Sequence, residues 1–204
     1  VVPQAVARER PPPVMLADGP PPPPPLPPPR VSPARVRLLL GASAGGALGA
    51  VDRLGPVLQL RVGVRVGRWS IAAEARVDFP VERTLAGLAD ARVASSALGA
   101  SLVACAHFDF AAACALVGAG GLYRSASGVA EPTPGADPWA FAGARGALVW
   151  PVSSRWSLLA AADALAAIVR PVPSLRDDRG QSVTLWQPWP VHLAVTLGAQ
   201  VSLH

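Results

Sequence analysis

The sequence predicts an all-β fold: an eight-stranded antiparallel up-and-down transmembrane β-barrel preceded by a disordered, polyproline leader. Three observations predict it. From Arg35 onward, apolar and polar residues alternate with period two, which is the side-chain period of a strand. Short and long breaks between the alternating segments follow each other strictly, as in a meander with all its long loops at one end. Within the segments, charged residues fall on the face opposite the bulky aliphatics.

The leader comes first. Of the 204 residues, 51% are hydrophobic and 15% charged, against a usual ~25% charged. The chain also holds 24 prolines, and 14 of them lie within residues 1–34. Consecutive prolines fix φ and remove backbone donors, so this stretch predicts an extended polyproline II rod. At ~3.1 Å per residue, Pro20–Pro29 would span roughly 30 Å. A stiff spacer implies something at each end, so a domain ahead of Val1 is expected. Residues 1–34 are therefore assigned as linker and 35–204 as barrel.

The first alternating segment sets Val36, Leu38, Leu40 and Ala42 against Arg37, Leu39, Gly41 and Ser43. The clearest pair follows. Leu58, Leu60, Val62, Val64 and Val66 alternate with Gln59, Arg61, Gly63 and Arg65; then Trp69, Ile71, Ala73, Ala75, Val77 and Phe79 alternate with Ser70, Glu74, Arg76 and Asp78. The break at Gly67-Arg68 reads as a tight hairpin turn. Alanine suits either face, so the middle strands, at about 92–106, 111–124, 138–150 and 155–169, are drawn less sharply. Ser157–Val169 has helical propensity, but its alternation favours a strand. The last segment sets Val191, Leu193, Val195, Leu197, Ala199, Val201 and Leu203 against His192, Thr196 and Gln200. Short breaks fall near 67–68, 107–110 and 151–154, and long ones near 46–55, 80–91, 125–137 and 170–188.

Alternation does not say which face is buried. A soluble barrel puts the apolar face inside, and a membrane barrel puts it outside. Strands of 11–15 residues exceed the soluble mean of ~5–6 and suit a tilted bilayer crossing. The polar face carries Arg61, Arg65, Glu74, Arg76, Asp78, Arg145 and Asp163 among small residues. A narrow interior can hold these side chains if they pair. Trp69, Tyr123, Trp150, Trp156 and Trp189 fall near strand ends, where amphipathic rings meet lipid headgroups.

Eight strands with short turns at one end and long loops at the other resemble the small outer-membrane barrels of Gram-negative bacteria, the OmpA/OmpX kind, over roughly residues 35–204. Within that group, the run LVACAHFDFAAACALVGAGGL resembles the central hairpin of uncharacterised myxobacterial-type barrels with a Pro-rich linker. The resemblance implies a Gram-negative outer-membrane location, periplasmic short turns and termini, long loops outside, and a linker in the periplasm. The class usually ends in an aromatic residue, whereas this sequence stops at His204.

Cys105 and Cys114 are the only cysteines and flank the 107–110 break symmetrically. A hairpin pairing 105 with 114 brings their Cα atoms within disulfide reach, and the periplasm is oxidising. A disulfide is expected, contributing on the order of 2 kcal/mol. Metal binding is the rival, but Cys105, His107 and Cys114 supply three ligands where a structural zinc needs four. The glycine-rich runs 41–46 and 118–121 lack the Lys-Ser/Thr and helix of a phosphate loop.

His192 is the one histidine suited to a site near the outer rim. Asp177 and Asp178, with Arg176 and Arg179, read as a solvated loop surface. No catalytic residue, cofactor or metal is assigned. The net charge of +5 is all arginine and scattered, without the clustered patch and stacking aromatics of a nucleic-acid binder. The expected partners are outer-membrane lipid and, through the linker, the cell wall or an upstream domain; a monomer is expected. The expected function is a non-enzymatic barrel for anchoring or surface interaction through its long loops. The alternatives are a soluble barrel binding an apolar ligand and a lipid-modifying outer-membrane enzyme.

Overall fold

The structure, a computed structural model, describes residues 36–49, 53–84, 92–127, 135–169, 174–176, 182–184 and 189–203. The leader with its expected rod, the Asp177–Asp178–Arg179 cluster and His204 lie outside the described residues.

Eight strands close into one antiparallel barrel: β1 (Val36–Leu48), β2 (Gly55–Val66), β3 (Trp69–Thr84), β4 (Arg92–Phe108), β5 (Ala111–Ser127), β6 (Gly135–Pro151), β7 (Trp156–Val169) and β10 (Val191–Leu203). Each barrel strand pairs with the next, and β10 closes the ring on β1. The connection between β7 and β10 contains a further two-stranded ribbon, β8 (Ser174–Arg176) with β9 (Ser182–Thr184). Alternation has no means of announcing such a ribbon, because three residues are too few to show a period. Several strands also run further than the alternation predicts. β1 continues through Gly45 and Gly46 to Leu48, where the missing side chains hide the pattern. Ser157–Val169 is strand throughout, so tertiary pairing overrides its helical propensity.

The turns at one end are short. Gly67-Arg68 joins β2 to β3 with Gly67 at φ 59°, and Asp109-Phe110 joins β4 to β5 with Asp109 at φ 49°. Left-handed backbone suits Gly and, among residues with side chains, Asn and Asp best. Val152–Arg155 joins β6 to β7, and Ser153 Oγ accepts from the Trp156 amide at 3.0 Å. Both ends of the barrel chain lie at this short-turn end, since Val36 pairs with Val66 and Leu38 with Leu203.

The register sets the shape of the barrel. Starting from Leu38, successive partners are Val64, Ile71, Ala104, Ala115, Ala144, Ala164 and Leu193, and the last of these pairs with Leu48. One circuit therefore climbs ten residues along β1. With a rise of ~3.3 Å per residue and strands ~4.8 Å apart, that stagger tilts the strands by about 40°.

At the other end, β3 to β6 rise above their neighbours. β2 stops pairing with β3 at Asp78, but β3 continues to pair with β4 as far as Thr84. A bulge between Asp78 and Val81 marks the departure. Pro80 sits in it, and a residue without an amide donor is tolerated at a bulge.

Candidate functional site

Inward-facing positions are filled. The lumen has a layer of paired charge in the middle, a disulfide toward the short turns and an aromatic layer toward the long connections. Arg145 stands at the centre and is 2% exposed. Its Nη1 and Nη2 donate to Glu74 at 2.7 and 2.8 Å, and its Nε and Nη2 donate to Asp163 at 2.5 and 2.9 Å. Arg61 donates to the same Glu74 at 3.0 Å. Both contacts follow from register, because Arg61 lies opposite Glu74 and Arg145 opposite Asp163. Arg76 forks onto Asp78 at 2.8 Å, and its Nη1 lies 4.0 Å from Asp163.

Gln59 threads the cluster. It donates to Asp163 at 3.2 Å and accepts from Ser43 at 3.1 Å and Thr196 at 3.5 Å. Three guanidiniums thus meet three carboxylates, and burial is offset by charge-assisted hydrogen bonds.

Of the seven charged residues expected inside, Arg65 stands apart. It shares the inward face but lies at the short-turn rim, where its Nε donates to Gly67 O at 3.1 Å. Alternation assigns a face to a residue but not a height. Gln59, Ser43 and Thr196 belong to the cluster and were not singled out from sequence, although each shares a face with a charged or polar neighbour. Arg124 and Asp137, also inward-facing, pair above the aromatic layer.

Cys105 and Cys114 are opposite one another, inward-facing, buried and joined as a disulfide. Beside them, Ser70 Oγ and His107 Nε2 share a hydrogen bond of 2.8 Å. No carboxylate among the described residues orients His107. The backbone at Ser70 and His107 is paired into the strand ladders on either side. His192 is 2% exposed and stacks 5.1 Å from Trp139, which stacks 4.5 Å from Phe141. The ring nitrogens of His192 meet no side-chain hydrogen-bond partner among the described residues. No set of three metal-ligating side chains occurs among the described residues.

The outward face is the reverse. Leu, Val, Ile and Ala cover it, and the large ones are exposed. Trp69, Phe108, Phe110, Trp150 and Trp156 project outward or into turns at the short-turn end. Phe79, Tyr123 and Trp189 are exposed at the other end. All five aromatics expected at strand ends are thus exposed, whereas Trp139 points inward and is 3% exposed. On β3, Trp69 and Phe79 share the outer face ten positions apart, with Glu74 midway between them on the inner face. Ten residues at this tilt rise ~25 Å, the height of the apolar band of a membrane barrel. The described outward positions between the two girdles carry no charge; the exposed Glu82–Arg92 pair lies beyond the upper one.

No family model matches the chain, and no curated protein does. Solved barrels are similar in fold. A major outer membrane protein from Thermus thermophilus superposes with a TM-score of 0.56 at 13% identity, covering 82% of this chain and 99% of that one. Neisserial surface protein A gives 0.48 at 10% identity, covering 82% and 97%. Ail of Yersinia pestis gives 0.48 at 11% identity, covering 84% and 100%.

Proposed function

We propose that this chain is a non-enzymatic β-barrel of the Gram-negative outer membrane that anchors the chain and presents its long connections for surface interaction. The observation that carries the proposal is the inversion of polarity. An uncharged apolar wall lies between two aromatic girdles ~25 Å apart and encloses a lumen packed with ion pairs. Water is the wrong solvent for that wall, and hydrocarbon is the right one. The same inversion disfavours a soluble carrier of apolar ligands, whose greasy face would line the cavity.

In this reading the short turns face the periplasm and the Pro-rich leader serves there as a spacer toward the cell wall or an upstream domain. The run Leu102–Leu122, with its resemblance to myxobacterial-type barrels, belongs to the central hairpin. The raised wall of β3 to β6 is the part that reaches past the outer girdle, and it offers backbone and side chains to partners outside the cell.

Fractionation of cells expressing the chain tests the reading. The expected result is an outer-membrane protein that resists carbonate extraction and migrates differently on gels before and after boiling. Protease added to intact cells should cut the long connections and spare the short turns. Recovery in the soluble fraction without detergent overturns the proposal.

A further inference from the structure

The net charge of +5 is not spread over the molecule. The lumen cluster is neutral, with three arginines and three acids. Positions 50–54, 80–92, 124–137 and 170–190, the long connections with the strand ends that feed them, hold seven arginines and seven acids. The excess therefore lies in the leader and at the short-turn end. That end carries Arg37, Arg65, Arg68 and Arg155, with Asp109 as its acid. Arg37 and Arg65 are directly opposite one another on β1 and β2, a placement that is unfavourable for like charges unless an anion lies between or near them. None of the four arginines forms an ion pair among the described residues.

Two of these arginines sit in a recurring setting. Arg68 precedes Trp69 and Arg155 precedes Trp156, each at a turn where one strand begins, and all four side chains are exposed. A tryptophan in a girdle rests at the boundary between hydrocarbon and headgroups. An arginine one residue beyond it, outside the girdle, is placed at the height of the phosphates. A guanidinium there can fork onto two phosphate oxygens.

We infer that the short-turn end is a binding surface for anionic phospholipid headgroups, with Arg68 and Arg155 as the phosphate contacts and Arg37 and Arg65 adding to the local field. The lipid, rather than a soluble polyanion, is indicated by the adjoining tryptophans, which fix these two arginines to the membrane boundary. The inference rests on the membrane-barrel reading above.

The test uses the full chain folded into phosphatidylcholine vesicles containing phosphatidylglycerol, with one lipid or the other brominated to quench tryptophan. Heat-modifiable migration is measured on every sample first. Failure of the wild type to fold in any vesicle overturns the barrel reading, and the lipid inference falls with it. In folded protein, brominated phosphatidylglycerol should quench more than brominated phosphatidylcholine at equal content. The preference should be up to about fivefold per contacting arginine at low salt and should shrink as salt is raised. Arg68→Gln with Arg155→Gln should remove most of it, leaving only the weak field of Arg37 and Arg65, and Arg68→Lys with Arg155→Lys should retain most of it. Arg53→Gln with Arg92→Gln, an equal loss of charge at the other end, should leave it unchanged. Equal quenching by the two lipids, or the same loss from either pair of Gln variants, overturns the inference.

Discussion

Arg145 shows how a single residue can be both costly and necessary. Its guanidinium is fully buried and makes four hydrogen bonds to two carboxylates. Truncation would leave Glu74 with Arg61 alone and Asp163 with Gln59 and the distant Arg76. Removing one partner of a buried ion pair typically costs ~3–5 kcal/mol. Arg145→Ala is therefore expected to lower stability by about that amount in urea unfolding followed by tryptophan fluorescence in lipid. A loss under about 1 kcal/mol would mean that the cluster is hydrated and only loosely coupled. The residue scale also marks the limit of sequence reading. Period two places Arg61, Arg65 and Arg145 on one face, and each does face inward. Which of them meet is a matter of height along the axis, and height depends on the stagger of a closed ring. Arg65 could not be separated from Arg61 before the register was known. Trp139 is the converse case. Its inward position is not among the sequence-based expectations, although it shares parity with Phe141 and Arg145, which is the signal that marks it.

At the scale of elements, glycine decides how closely strands and lumen side chains can approach. Gly118 on β5 lies opposite Phe141 on β6. A Cβ at Gly118 would stand 2.5 Å from both Phe141 Cζ and Ala100 O. Phe141 is itself pressed against Trp139, and the Ala100 carbonyl is backbone, so neither can yield cheaply. Gly118→Ala is expected to destabilise the barrel by roughly 1–3 kcal/mol through overpacking. The combination with Phe141→Leu should recover part of that loss, and unfolding midpoints of the two variants would show whether it does. The Ala-rich elements were the hardest to read. In β6 and β7, alanine occupies both faces, and a methyl group carries too little contrast for alternation to stand out. The strands bearing Leu and Val against Arg and Glu, β2 and β3, were legible almost to their ends.

The whole molecule is defined by eight strands and a stagger of ten residues, a combination that leaves room in the lumen for side chains and little else. The mid-height layer of Arg61, Glu74, Gln59, Arg145 and Asp163 reaches across it. Planar-bilayer recordings of the refolded chain are expected to show no sustained ion conductance. A steady open level of the kind seen with wide barrels would require the layer to part. Fold class, strand number and the end bearing the long connections were all readable from the sequence, because each is written in local alternation and break length. The ribbon of β8 and β9 was not, because its three-residue strands are too short to show a period, and neither was the raised wall, which depends on where neighbouring strands stop pairing.

The charged lumen also dictates an order of events. Gln59 and Asp163 are 104 positions apart and Arg145 and Glu74 are 71 apart, so the partners arrive from opposite sides of the sheet. Loop-closure entropy makes such distant meetings slow. Until β1 joins β10, a growing sheet in hydrocarbon would expose its neighbour-paired charges along one surface, without the cross-lumen contacts of Arg145 to Glu74 and of Gln59 to Asp163. A half-built ribbon is therefore not a resting place for this chain in a bilayer. Ring closure is what takes the charged layer out of contact with hydrocarbon, which favours insertion as one cooperative event over strand-by-strand addition.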